Sequence, residues 1–185
     1  EAAEALDLPM EIDLFKDSDV ENTLPKVVSL IEEADPVKAS IGVPFYWTAE
    51  KAAEAKFKAV LAGQGADELF GGYQRYVNGY CKDGAEKTRE AMYYDVVNIH
   101  ANNLERDLKI TGYHDIALLM PFASYALAEF ALSLPLECKI EANPDTLRKL
   151  VLRKMAKNFG VPAAIADKPK KAVQYSTGIS DAVKR

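Results

Sequence analysis

Apolar and polar positions along the chain change their spacing near its middle. Met10-Glu11-Ile12-Asp13-Leu14-Phe15 alternates and predicts a strand. From Asn22 to Glu33 the apolar residues Leu24, Val27, Val28, Leu30 and Ile31 recur at helical spacing. Alanine-rich Tyr46 to Phe57 predicts a helix leading into a short strand over Lys58–Leu61. Asp67 to Tyr80 predicts a helix disturbed at Gly71-Gly72, where the absence of side chains admits close approach of another backbone. From Ala85 onward helical patterns dominate, over Ala85–Val97 and Ser124–Leu134, with almost no strand signal. Asn143-Pro144-Asp145 predicts one more helix start, with Asn as N-cap and Pro at the first helical position. That helix is expected to reach Phe159 and stop at Gly160. Strand–helix units followed by helices predict an α/β fold, a sheet packed by a mostly helical second half.

The 185 residues, 49% hydrophobic and 28% charged, fit one ordinary globular domain. A net charge of −5, with no basic stripe interleaved by aromatics, argues against a nucleic-acid partner. No apolar run approaches the roughly 20 residues that a bilayer span needs, so no membrane partner is expected. Cys81 and Cys138 are isolated, which suggests neither a disulfide framework nor a zinc site, and the cytoplasm is the expected location. Glu1-Ala2-Ala3-Glu4-Ala5-Leu6 reads as the last turns of a helix, so an upstream segment is expected.

The candidate chemistry lies in Ala59-Val60-Leu61-Ala62-Gly63-Gln64-Gly65-Ala66-Asp67-Glu68-Leu69-Phe70-Gly71-Gly72-Tyr73. An apolar strand enters a glycine-spaced turn, and the turn opens a helix with acidic first residues. Free backbone N–H groups at such a turn suit phosphate oxygens. A carboxylate there suits magnesium, which takes few protein ligands and completes its shell with phosphate and water. A P-loop is excluded, because Asp67-Glu68 stand where Lys-Ser/Thr is required. A dinucleotide fingerprint is excluded, because Glu68 occupies the third glycine position. The spacing alone also fits a plain tight turn, with glycines supplying special dihedrals and the carboxylates complementing the helix dipole.

The longer string decides between these. Gly63 through Tyr73, followed by Arg75-Tyr76, closely resembles the second signature of the asparagine synthetase family, Ser-Gly-Glu-Gly-Ala-Asp-Glu-(Leu/Val)-Phe-Gly-Gly-Tyr. Ala39-Ser40 with Pro44 and Tyr46 resembles the family's Ala-Ser-x-x-Pro-x-Tyr segment. Met120-Pro121-Phe122 resembles its Val-Pro-Phe. Leu152-Arg153, Val161-Pro162 and Lys168-Pro169-Lys170 resemble its closing Leu-Arg … Leu-Pro … Arg-x-Lys run.

This resemblance implies an incomplete sheet of the adenine nucleotide alpha hydrolase type, with an α/β part over about residues 1–80 and a helical part over about 81–185. It implies a single synthetase-like domain lacking the upstream pyrophosphate loop. The implied reaction is ATP-dependent: a substrate carboxylate, aspartate or a similar acid, is adenylated, and ammonia or glutamine-derived ammonia then displaces AMP. ATP and magnesium are the implied cofactors. Ala62, Gly63, Gln64 and Gly65 would bind the nucleotide, Asp67 the magnesium, and Lys170 the reacting phosphate. Lys171 is a rival for that last role, because the match around the lysine pair is not gap-free.

Read without the resemblance, Lys168, Lys170 and Lys171 form a solvated cluster, and Arg148 and Lys149 line a solvated helix face. Arg153 is open to either reading. His100 and His114 are not spaced as metal ligands, and the nine tyrosines fit core or interface packing. Gln64 departs from the family's glutamate and Ala62 from its serine, while Leu119 and Ser124 replace the Arg and Asp that flank Val-Pro-Phe. Two other functions therefore stay open: a related ligase using another acid or nucleophile, as in β-lactam synthetases, and a non-catalytic nucleotide-binding or assembly module. The sequence is silent on oligomeric state, and a homodimer is one arrangement open to it.

Overall fold

A computed structural model describes residues 2–170, 173 and 177–184. Among them the elements run α1 (Ala2–Ala5), α2 (Asp17–Ile31), α3 (Pro36–Glu54), β1 (Ala59–Leu61), α4 (Ala66–Phe70), α5 (Gln74–Asp83) and α6 (Ala85–Val97). A π-turn at His100–Leu104 leads into α7 (Glu105–Tyr113), β2 (Ala117–Leu119) and α8 (Tyr125–Ser133). Then come α9 (Leu150–Asn158), α10 (Ala163–Ala166) and α11 (Ile179–Lys184). No helix of the described residues is long and apolar enough to cross a membrane.

The chain forms two compact units interleaved in sequence, one from Glu1–Asp13, Gly65–Val97 and Phe122–Lys170, the other from Leu14–Gln64, Asn98–Pro121 and Lys171–Arg185. The second holds the sheet. β1 and β2 pair in parallel with Ala59 opposite Ala117, Val60 opposite Leu118 and Leu61 opposite Leu119. The fold is thus α/β with a small parallel sheet, as expected. The partner strand, however, comes from the half expected to be helical. Ala117-Leu118-Leu119 is too short an apolar run to declare its period, and only pairing with β1 makes it a strand.

Packing in this unit centres on α3. Asp35 caps it by accepting from the Val37 and Lys38 amides at 2.7 and 2.9 Å, and Pro36 fills the first turn. The helix thus starts ten residues before Tyr46, where it was expected to begin. Gly42 lets α2 and α7 press against it: a Cβ there would sit 2.6 Å from Val27 and 2.9 Å from Ile110. Val20, Val27, Ile31, Val43, Tyr46, Trp47, Ile110 and Ile179 form the buried cluster. The Trp47 indole N–H, buried there, donates to the Thr23 hydroxyl at 3.0 Å. Likewise α2 begins at Asp17 rather than Asn22, because the Asp19 carboxylate accepts from the Lys16 amide at 2.7 Å.

The strand expected over Met10–Phe15 does not form. The segment is irregular, and Met10, Ile12 and Leu14 are 59%, 70% and 91% exposed. Alternation prepares a segment for a sheet, but a strand needs a ladder partner, and none of the described residues supplies one.

In the other unit, α5 and α6 close on Tyr76, Val77, Met92, Leu136 and Ile140. Leu69 and Phe70 of α4 pack with Ala131 of α8, and the Phe70 and Phe122 rings meet edge to face at 6.1 Å. The helices over Ala85–Val97 and Ser124–Leu134 form as expected. The helix expected from Asn143 starts only at Leu150. Asn143 caps a local turn instead, its side chain accepting from the Asp145 amide at 3.1 Å and its carbonyl from the Thr146 amide at 3.2 Å. Lys149, with φ 58°, lies in the left-handed region just before α9.

Candidate functional site

The glycine turn positions one carboxylate. Gly65, with φ 94°, sits at the N-terminus of α4, and a Cβ there would lie 3.1 Å from the Phe122 carbonyl carbon and oxygen. Both the dihedral and the backbone contact demand glycine. At the far end of α4, Gly71 has φ 74°, and the Gly72 amide donates to the Asp67 carbonyl at 2.8 Å. A Cβ on Gly72 would fall 1.8 Å from Asp67 Oδ1 and 2.5 Å from Lys149 Cε. A Cβ on Gly71 would fall 2.7 Å from Ile140 Cγ2. The glycine pair does interrupt the helix, but it makes room for side chains rather than for another backbone. Gly72 vacates the space that the Asp67 carboxylate occupies.

Two ammonium groups meet that carboxylate. Lys149 Nζ lies 2.7 Å from Oδ1, and Lys170 Nζ lies 3.4 Å from Oδ2. Oδ1 accepts no well-angled hydrogen bond, so its contact with Lys149 is an ion pair. All three side chains are half-buried, where such pairs feel less screening than at an open surface. The Lys170 ammonium also lies 5.4 Å from the centre of the Tyr73 ring. The Tyr73 hydroxyl donates to Glu68 at 2.5 Å, and burial, reinforced by that carboxylate, raises its pKa. Tyr73 thereby stays a neutral wall beside the lysine.

One face of α9 and its lead-in carries three cations at four-residue spacing: Lys149, Arg153 and Lys157. Lys149 reaches Asp67. Arg153 donates to the carbonyls of Arg148, Ala166 and Lys168 at 2.6, 2.6 and 2.9 Å. Lys157 pairs with Asp167 at 3.0 Å. Lys149, read from the sequence as part of a solvated face, is instead a member of the Asp67 cluster. Its place in sequence carries no signal of this beyond sharing a face with Arg153.

On the sheet unit, the Ala62 amide is committed to the ladder, donating to Leu119 O at 2.9 Å. Gly63 is exposed, with nothing within 4 Å of a Cβ placed on it. The Gln64 side-chain amide donates to Asp107, whose carboxylate is wholly buried and also accepts from the Arg106 Nε at 2.7 Å. Burial raises the Asp107 pKa, with Arg106 and Gln64 opposing. Asp107 was not singled out in the sequence. It sits four residues from Thr111 on a helix with no motif of its own. Lys171, the rival lysine, lies outside the described residues.

The arrangement sets two positive charges and one negative charge side by side, the signs that a polyanion and a cation would each meet. Among the described residues no three His, Cys, Asp or Glu side chains converge on a metal position. One carboxylate at a helix start with two ammonium neighbours fits magnesium that draws most of its ligands from phosphate and water.

Comparison with known proteins bears on the same residues. The family model described as asparagine synthase matches residues 1–86 and 80–184. The chain is 34% identical over 205 residues to a Methanocaldococcus jannaschii protein named "Putative asparagine synthetase (glutamine-hydrolyzing) 1", covering 95% of this chain and 38% of that protein. It is 32% identical to asparagine synthetase domain-containing protein 1 of Mus musculus, over 77% of this chain and 23% of the relative. The protein of that name in Gallus gallus is 36% identical, over 66% and 20% respectively. The chain thus spans well under half the length of these relatives. By the family match over nearly its whole length, it belongs to the asparagine synthase family.

Proposed function

We propose that this chain contributes the ATP-using site of an amide-forming ligase, and that its sheet is of the adenine nucleotide alpha hydrolase type. The observation that carries the reading is the convergence of Lys149 and Lys170 on Asp67 at the start of α4. Two cations and one carboxylate complement a triphosphate with its magnesium, and the missing side chain of Gly72 leaves room for Asp67 and Lys149.

In the proposed reaction a substrate carboxylate oxygen attacks the α-phosphorus of ATP. The bond from that phosphorus to the bridging oxygen breaks, and pyrophosphate leaves. Ammonia then attacks the acyl carbon, the C–O bond to AMP breaks, and the nitrogen loses a proton. Lys170 and Lys149 counter the charge that gathers on the departing pyrophosphate, so positioning and electrostatics supply most of the rate. Asp67 would hold magnesium, which when bound would neutralise part of the phosphate charge. Aspartate is the first acid to test, with ammonia or glutamine-derived ammonia as the nitrogen source and the cytoplasm as the location.

One observation supports a second reading, a ligase acting on another acid or nucleophile. Gln64 stands where the family signature has glutamate, and its amide is held by buried Asp107. A neutral amide cannot hold an ammonium ion by charge.

Both readings are tested by substrate-dependent ATP–pyrophosphate exchange with the complete protein, run across a panel of acids. Exchange with aspartate alone supports the first, and exchange only with another acid supports the second. Asp67→Asn should cut exchange by about 100-fold or more while leaving thermal unfolding nearly unchanged. Near-wild-type exchange in that variant removes Asp67 from the site.

A further inference from the structure

We infer that Arg153 is a positioning residue that sets Lys170 at the Asp67 carboxylate by clamping the backbone two residues upstream of it. The inference rests on the adenylation reading and goes beyond it. Arg153 donates from one nitrogen, Nη1, to both the Ala166 and Lys168 carbonyls at 2.6 and 2.9 Å, and from Nε to the Arg148 carbonyl at 2.6 Å. One half-buried guanidinium thus ties the turn before α9 to the end of α10 and the segment after it. Charge-assisted bonds of this kind are about twice as strong as neutral ones. Burial lowers the Arg153 pKa, yet an arginine remains a cation at any physiological pH.

The clamp reaches Lys170 through a stiff link. Pro169 follows the clamped Lys168, so its φ is locked and the residue before it is driven to extended backbone. With the Lys168 carbonyl held and the Pro169 φ fixed, the Pro169 ψ is the one soft torsion left between the clamp and the Lys170 Cα, and the Lys170 ammonium arrives 3.4 Å from Asp67 Oδ2. The neighbouring Lys157–Asp167 pair joins the last turn of α9 to the residue after α10, but it lies at the surface, where ion pairs contribute little. Lysine at 153 would carry the charge without the planar fork that bonds on two sides at once.

The test is a double-variant cycle in the complete protein, read by ATP–pyrophosphate exchange with the acid that supports it. Arg153→Met should lower the exchange rate by about 10- to 100-fold while the KM for ATP changes by less than about threefold. Introduced into Lys170→Ala, the same change should cost less than about twofold more, because the lysine it places is already gone. Arg153→Lys should fall between wild type and Arg153→Met, and it carries the same cycle if the methionine variant does not fold. Losses that multiply across the two sites overturn the inference and leave the adenylation reading standing. An Arg153→Met variant with wild-type exchange also overturns it. Wild-type protein that exchanges with no acid at all overturns the adenylation reading and this inference with it.

Discussion

Lys139 offers a quantitative test of how the Asp67 region is built. It ends the short turn Leu136–Cys138 and is 3% exposed. Its carbonyl accepts from the Leu150 amide at 2.9 Å, anchoring the start of α9, and its Cβ lies 3.7 Å from where a Gly71 Cβ would stand. Its ammonium has no hydrogen-bond or ion-pair partner among the described residues. Burial, with the Arg89 charge adding to it, pushes the Lys139 pKa down from 10.5 to about 8. At about 1.4 kcal/mol per unit the full shift would correspond to roughly 3 kcal/mol, but the ammonium keeps part of its contact with solvent, and screening reduces the cost of holding the charge to roughly 1–2 kcal/mol.

The sign follows from proton counts. Below pH 8 both states carry the proton and the cost is fully present. Between pH 8 and 10.5 the native state has released it and the unfolded state has not, so stability rises with pH across that window. Above 10.5 the cost is gone. Lys139→Met keeps an unbranched stem and removes the charge. It should stabilise the protein at pH 7 by roughly 1–2 kcal/mol, and the gain should shrink toward zero as the pH approaches 10.5. Urea denaturation at pH 7, 8, 9 and 10 reads this as a midpoint raised by about 0.5–1 M at pH 7. A variant that is less stable than wild type at pH 7, or whose advantage does not change with pH, refutes the reasoning.

Two further outcomes follow from the packing around the glycine turn. Gly72→Ala should lower ATP–pyrophosphate exchange by about tenfold or more and cost roughly 1–3 kcal/mol of stability, because the new Cβ collides with Asp67 and Lys149. Wild-type exchange in that variant would show that the carboxylate need not stay where it is. Gln64→Glu should destabilise by about 1–3 kcal/mol at neutral pH by setting a second carboxylate against buried Asp107. In an Asp107→Asn background, which itself loses the buried pair with Arg106, the same Gln64→Glu change should cost much less in urea denaturation, and an undiminished cost would dissociate the two side chains.

Much of the site was legible because short-range physics writes itself into sequence. Gly65 must be glycine for its left-handed dihedral, and Asp67 follows it at the first turn of a helix. The Asp35-Pro36 cap of α3 was equally legible, yet the alanine-rich run at Tyr46 drew the expected start ten residues too far along. Asn143-Pro144 shows the opposite failure. The same residues that cap a helix also close a turn, and the chain uses them for the turn.

The sequence by itself determined the elements whose energetics are local. These are the strand–turn–helix around Gly65, the helices over residues 85–97 and 125–133, and the family to which the chain belongs. Tertiary structure alone decided which segments became strands, since a ladder needs two partners and Ala117–Leu119 found one where Met10–Phe15 did not. It also decided which cations surround Asp67. Lys170 was expected at the same phosphate only through the family resemblance, and Lys149 not at all; the charge pattern around both matches any solvated surface, and the fold brings their ammonium groups to one carboxylate.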